Sequence, residues 1–298
     1  MWAGQGIAII GSPTMRNGQR PHGTRVEHVR LTVPSLPPGR PPLRICHLSD
    51  LHLRRRSTRQ DGLADLVTER APDLVALTGD VLVREASSAR VAAALLPRLR
   101  GRLGTFACRG NGEMRRSERL SALRAMMADW GVELLVNESR MVRAESGTVL
   151  VGGLDDVSLG WPDSAAALSA TEPADCALLL AHAPLAAHLA AAAHLVAGAH
   201  RTPAGRPPDV ILSGHTHGGQ IRVPLLWRAA LPPFSAGFAG GLYAMPWGHL
   251  YVNRGFGTAR TLPVRWHCPA EVAFIDLQGP PGATDASPGA RPGNGRPG

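Results

Sequence analysis

Seven side chains of metal-ligand type occupy comparable places along a chain of 298 residues. Asp50 and His52 lie in HLSDLHL, Asp80 in ALTGDVL, Asn111 in CRGNGE, His182 in LLLAHAP, and His215 and His217 in ILSGHTHGG. Each group follows a short apolar run of the kind that forms a buried strand. The C-terminal ends of such strands are where α/β sheets assemble ligand sites. Taken singly, an Asp or Asn after a strand is a turn residue and a lone His is usually structural. Taken together, they supply carboxylate, imidazole and amide-oxygen donors for two divalent ions, provided one carboxylate is shared. A mixed N/O set without thiolate suits Mn, Fe, Zn or Co better than Ca, and argues against a structural zinc. Two ions about 4 Å apart clamp the non-bridging oxygens of a phosphate and acidify a bound water, so phosphoester hydrolysis is the chemistry this pattern serves.

The elements that must position these residues are readable as apolar runs bounded by turn residues. Runs at 43–49, 73–78, 104–108, 149–152, 177–181, 210–213, 250–253 and 272–277 predict buried strands. Helical patterns lie between the early ones. Leu63, Leu66 and Val67 share a face stopped by Pro72, and Leu120, Leu123, Met127 and Trp130 follow Ser117 as N-cap and end at Gly131. Strand and helix alternate in the first half, while strand and loop dominate after residue 210, which predicts an α/β sandwich with a mixed sheet. Residues 1–22 and 279–298 lack apolar periodicity and read as disordered tails around one working domain, 23–278.

Composition narrows the class. Hydrophobic residues make up 44% of the chain, enough for a sizeable core, and 34 Gly with 26 Pro exclude a helical bundle. The net charge of +9 is carried by arginine alone, with no lysine, and Arg54-Arg55-Arg56 is the one compact basic run. No aromatic platform accompanies it, so no specific nucleic-acid partner is expected. Cys46, Cys108, Cys176 and Cys268 form no C-x-x-C motif and read as buried thiols of a reducing compartment. The uncharged stretches 176–200 and 229–253 are broken by proline, histidine or glycine, so neither is a membrane span, and the expected location is the cytoplasm. Peripheral contact with a membrane stays open, and no obligate protein partner is evident. His182, His188, His194 and His200 recur every six residues. Six residues turn a helix by about 240°, so they make no single ligand ladder.

In the order D-x-H, G-D, G-N, strand-ending H and G-H-T-H, the motifs resemble those of the calcineurin-like metallophosphoesterase superfamily. SGHTHGGQIRVP followed by LYVNRGFGTARTLPVRWHCPAEVAFIDL is similar to its bacterial YkuE-type phosphodiesterase branch. The resemblance implies a four-layer α/β sandwich of two mixed β-sheets flanked by helices. It also implies that Asp50, His52, His217 and Asp80 hold one ion, with Asp80 bridging, and that Asn111, His182 and His215 hold the second. Asn253 and Arg254 would then border the substrate cleft. The implied substrate is a phosphoester, small or lipid-linked.

One position departs from the family's G-N-H-[DE], which here is Gly110-Asn111-Gly112-Glu113. The histidine that contacts phosphate and assists the leaving group is a glycine, leaving Asn111 and Glu113 as the catalytic candidates, with Glu113 deprived of its partner. Losing a general acid costs about 10²- to 10⁴-fold in rate. The expectation is a metal-dependent hydrolase that is either weakened or draws its acid from elsewhere; if the acid is simply missing, good leaving groups are favoured and Gly112→His restores activity on poor ones. The alternatives are a metal-loaded module that binds without turnover, and a lipid-precursor hydrolase resembling UDP-diacylglucosamine pyrophosphatases, with an apolar groove or lid at 231–250.

Overall fold

The computed structural model describes residues 23–84, 87–116, 119–186, 207–259 and 263–282. The first sheet contains β1 (Thr24–Thr32), β2 (Leu43–Leu48), β3 (Leu74–Thr78), β4 (Gly104–Cys108), β5 (Glu133–Leu135) and β12 (Ala270–Gln278), in the order β1-β12-β2-β3-β4-β5. The second contains β6 (Glu138–Ala144), β7 (Gly147–Gly153), β8 (Cys176–Leu180), β9 (Val210–Ser213), β10 (Gly241–Met245) and β11 (Gly248–Val252), in the order β10-β11-β9-β8-β7-β6. Both are mixed. Strands β2 to β5 run parallel in the first, as do β7, β8, β9 and β11 in the second.

Alternation along the strands builds three apolar layers. On β8, Leu178 and Leu180 point to the interface between the sheets, where they meet Val149, Val210, Leu212, Ile45 and Ile275. Ala177 and Leu179 point the other way, with Ile211, Leu250 and Leu168. The outer face of the first sheet is covered by α1 (Thr58–Arg70), α2 (Ser87–Leu95) and α4 (Leu120–Asp129), which bring Leu63, Val67, Leu95, Leu123 and Met127 onto Leu48 and Leu77. Two single-turn helices, α3 (Asn111–Met114) and α5 (Ser164–Ala167), complete the described α-helices. Each fully buried leucine contributes about 1.5–3 kcal/mol, so the double sheet is rigid enough to hold loops at its strand ends.

All eight predicted strands are present, within a residue or two at most boundaries. The four that the apolar-run criterion misses, β1, β5, β6 and β10, are the four sheet edges. An interior strand buried on both faces reads as a continuous apolar run, whereas an edge strand such as ESRMVRA is studded with charge. Of the expected tails, 1–22 and 283–298 lie outside the described residues, as do Ser117, His188, His194 and His200. All four cysteines are buried, and no helix among the described residues is long and apolar enough to cross a membrane.

Candidate metal centre

The parallel strands β2, β3, β4, β8 and β9 end on one edge of the sandwich, and the seven predicted ligands stand on the loops and short helical turns that follow them, Asn111 at the start of α3. Asp50, His52 and His217 bring one ligand atom each within 4.8 Å of one another, as do Asp50, Asp80 and His182. Asp50 belongs to both groups, and Asp80, in the second, also reaches into the first. Oδ2 of Asp80 is 3.5 Å from Nε2 of His52, and its Oδ1 is 3.5 Å from Nε2 of His182. The Nε2 atoms of His52 and His217 face each other at 3.1 Å, and Nδ1 of His215 is 3.2 Å from Nε2 of His182.

Carbonyls behind the site select the ring nitrogens that face it. Nδ1 of His182 donates to the Thr78 carbonyl at 2.8 Å, and Nε2 of His215 donates to the Pro233 carbonyl at 2.8 Å. The opposite nitrogen of each ring is thereby left as a lone pair turned to the cluster, the usual outer support of a metal-binding imidazole. Oδ1 of Asp50 is buried with no hydrogen-bond partner among the described residues, although it stands 3.4 Å from Nε2 of His217. Oδ1 of Asn111 lies 3.2 Å from Nε2 of His182; with its amide reversed, the nitrogen would instead donate to Asp80. A buried, unpartnered carboxylate oxygen amid imidazole lone pairs is costly unless a cation joins them. The donor set therefore fits divalent ions.

Backbone geometry and charge point the same way. Asp50, His52, Asp80, His215 and His217 all adopt left-handed φ, between 42° and 68°. Each such residue costs about 1–3 kcal/mol and persists only where its surroundings over-determine it. Gly79 shares that conformation, and a Cβ there would lie 2.7 Å from Nδ1 of His182. Burial would raise the Asp50 carboxyl, but the imidazoles of His217, His182 and His52 hold it below the usual carboxylate range. Burial would lower His182, yet the charges of Asp80 and Asp50 push it up to about 9. Burial dominates at His217, taking it down to about 3.

Three expectations need correction. Glu113 is buried beneath the site and has not lost its partners: it accepts the amides of Asp80 (2.9 Å), Leu82 (2.8 Å) and Gly110 (3.0 Å). It is a positioning residue for the Asp80 loop, and it does not line the cleft. Asn253 is fully buried and joins strands, donating to the His47 carbonyl at 3.0 Å and accepting from Gly255 at 2.7 Å. Arg254 turns away from the cleft to pair with the buried Glu271. Polar residues after a strand can turn inward to tie loops together, and these two do. Finally, a Cβ at Gly112 would sit 2.8 Å from Oδ1 of Asp80 and 2.8 Å from the Leu82 carbonyl, so this backbone has no room for a histidine.

The residues that sequence reasoning missed are arginines. Arg265 is mostly buried and gathers the carbonyls of His217, Arg254, Gly255 and Gly257, fixing the loop that carries His217. Arg84 and Arg115 line a cleft of about 1180 Å³ that opens over His52, Asp80, Asn111, His215 and His217. In a chain whose every cation is arginine, nothing in their spacing distinguishes them.

The chain belongs to the calcineurin-like phosphoesterase family, whose model matches residues 43–219. It is 29% identical over 248 residues to the uncharacterized metallophosphoesterase YkuE of Bacillus subtilis, covering 82% of each chain. It is 30% identical to the phosphodiesterase YaeI of Escherichia coli, over 79% of this chain and 82% of that one. It is also 32% identical to the Bos taurus transmembrane protein with metallophosphoesterase domain, over 92% of this chain but only 61% of that protein.

Proposed function

We propose that the protein is a binuclear metal-dependent phosphohydrolase that cleaves a phosphodiester or phosphomonoester. The observation that carries this reading is the convergence of Asp50, His52, Asp80, His182 and His217 around a carboxylate oxygen that has no other partner. Asp50, His52 and His217 would hold one ion and Asp80, His182, Asn111 and His215 the other, with Asp50 or Asp80 shared. When bound, the ions supply electrophilic charge at the phosphate oxygens and lower the pKa of a water toward neutrality.

The chain's own residues orient the substrate. Arg84 and Arg115 have no carboxylate partner among the described residues, which leaves their guanidiniums available to grip the outer phosphate oxygens. Buried Glu113 holds the backbone of Asp80 and Leu82, and the Gly112 amide donates to Oδ1 of Asp80 at 2.5 Å, so the carboxylate is aimed before substrate arrives. Gly112 offers no proton to the departing oxygen, which favours substrates whose leaving group needs none. The test is turnover of bis(4-nitrophenyl) phosphate and 4-nitrophenyl phosphate by purified protein with added Mn. Turnover that requires metal and is abolished by Asp80→Ala is expected; full ion occupancy without turnover of either ester would refute the hydrolase reading and leave a binding module.

A further inference from the structure

We propose that the lip of the cleft, built from residues 221–228 and 264–266, docks the protein on an anionic lipid surface. Leu225 is 99% exposed and Leu226 68%, with Val223 beside them. Trp266, 47% exposed, is stitched to the same lip, since its amide donates to the Gln220 carbonyl and its carbonyl accepts from Arg222, each at 3.0 Å. The φ of Leu225 is 68°, a backbone region that leucine rarely enters, and it holds the side chain out into solvent. Protruding aliphatic tips with a neighbouring Trp match the way a peripheral protein seats itself at the boundary between headgroups and acyl chains.

Charge selects the occupant. From residue 210 to 270 the chain contains five arginines and no aspartate or glutamate. Two of these arginines, Arg222 and Arg228, stack on Trp227 at 4.5 and 5.0 Å and flank the tip, with no carboxylate partner among the described residues. A basic, acid-free collar around apolar tips complements anionic headgroups, whereas a second copy would bring the same positive charge against it. Val223, Leu226 and Trp227 also line the cleft, so docking turns its mouth toward the bilayer and toward phosphoesters carried there.

The experiment is co-sedimentation of the full chain with vesicles of phosphatidylcholine alone or mixed equally with phosphatidylglycerol, at low and high salt. Two arginines at the surface predict about 30-fold tighter binding to the anionic vesicles, weakening with salt. Aspartate tolerates left-handed backbone better than leucine, so Leu225→Asp should fold. It should lower vesicle binding at least tenfold, and Trp266→Gln should lower it too, while turnover of a small aryl phosphodiester is unchanged. Equal binding to both vesicle types, no binding to either, undiminished binding by Leu225→Asp, or a dimer in light scattering that this variant dissolves would each overturn the proposal. Sedimentation needs no catalysis, so its failure is separable from failure of the hydrolase reading.

Discussion

Replacing Gly112 by alanine is expected to damage the centre, and replacing it by histidine to damage it further. The added Cβ would lie 2.8 Å from Oδ1 of Asp80 and 2.8 Å from the Leu82 carbonyl. The carbonyl is backbone and cannot swing aside easily, because its peptide plane is anchored by the Val83 amide on Ser88 Oγ at 3.0 Å and the plane before it by the Leu82 amide on Glu113 at 2.8 Å. The strain must therefore move Asp80, which loses the 2.5 Å hydrogen bond from the Gly112 amide. A hydrogen bond to a charged group is worth about 1.5–3 kcal/mol, so affinity for the ion that Asp80 holds should fall about tenfold to a hundredfold. Calorimetric titration with Mn measures this directly, beside kcat/KM on bis(4-nitrophenyl) phosphate. Thermal unfolding in chelator checks that the apo fold survives. Wild-type Mn affinity in Gly112→Ala would refute the steric argument. A gain by Gly112→His on alkyl over aryl esters would show that the loop relaxes and that a general acid can be restored there.

Three further outcomes follow from the same geometry. Arg115→Ala should raise KM for phosphoesters about tenfold, as expected for a lost charge-assisted contact, with metal content unchanged; loss of metal instead would place Arg115 elsewhere than at the substrate. Asn253→Ala should lower stability by about 1–3 kcal/mol through the unpaired His47 carbonyl and Gly255 amide, read as a fall in Tm. A change confined to KM would instead return Asn253 to the cleft. Chelation should lower Tm, since an ion at a hundredfold excess over its Kd stabilises by about 2.7 kcal/mol, and an unchanged Tm would mean that no ion is held.

The ligands were legible because each closes an apolar run, and a strand buried on both faces announces both itself and its C-terminal end. Edge strands were not, since a strand such as β1, TRVEHVRLT, mixes charge into its alternation. The left-handed backbone at Asp50, His52, Asp80, His215 and His217 leaves no compositional trace, because it is imposed by loops from both sheets. For the same reason the sequence puts Asn253 and Arg254 at the cleft border and leaves Glu113 without a partner. Their polarity marks a functional loop, but whether a side chain points to the substrate or ties that loop down depends on what packs behind it.

Elemental analysis of the purified protein by plasma mass spectrometry, with Asp50→Asn measured in parallel, bears most directly on the shared centre. About two divalent ions per chain are predicted for the native protein, falling in the variant, because both clusters of ligand atoms include that carboxylate. Protein that is metal-free after purification in Mn, or a variant that retains the full complement, would contradict the account.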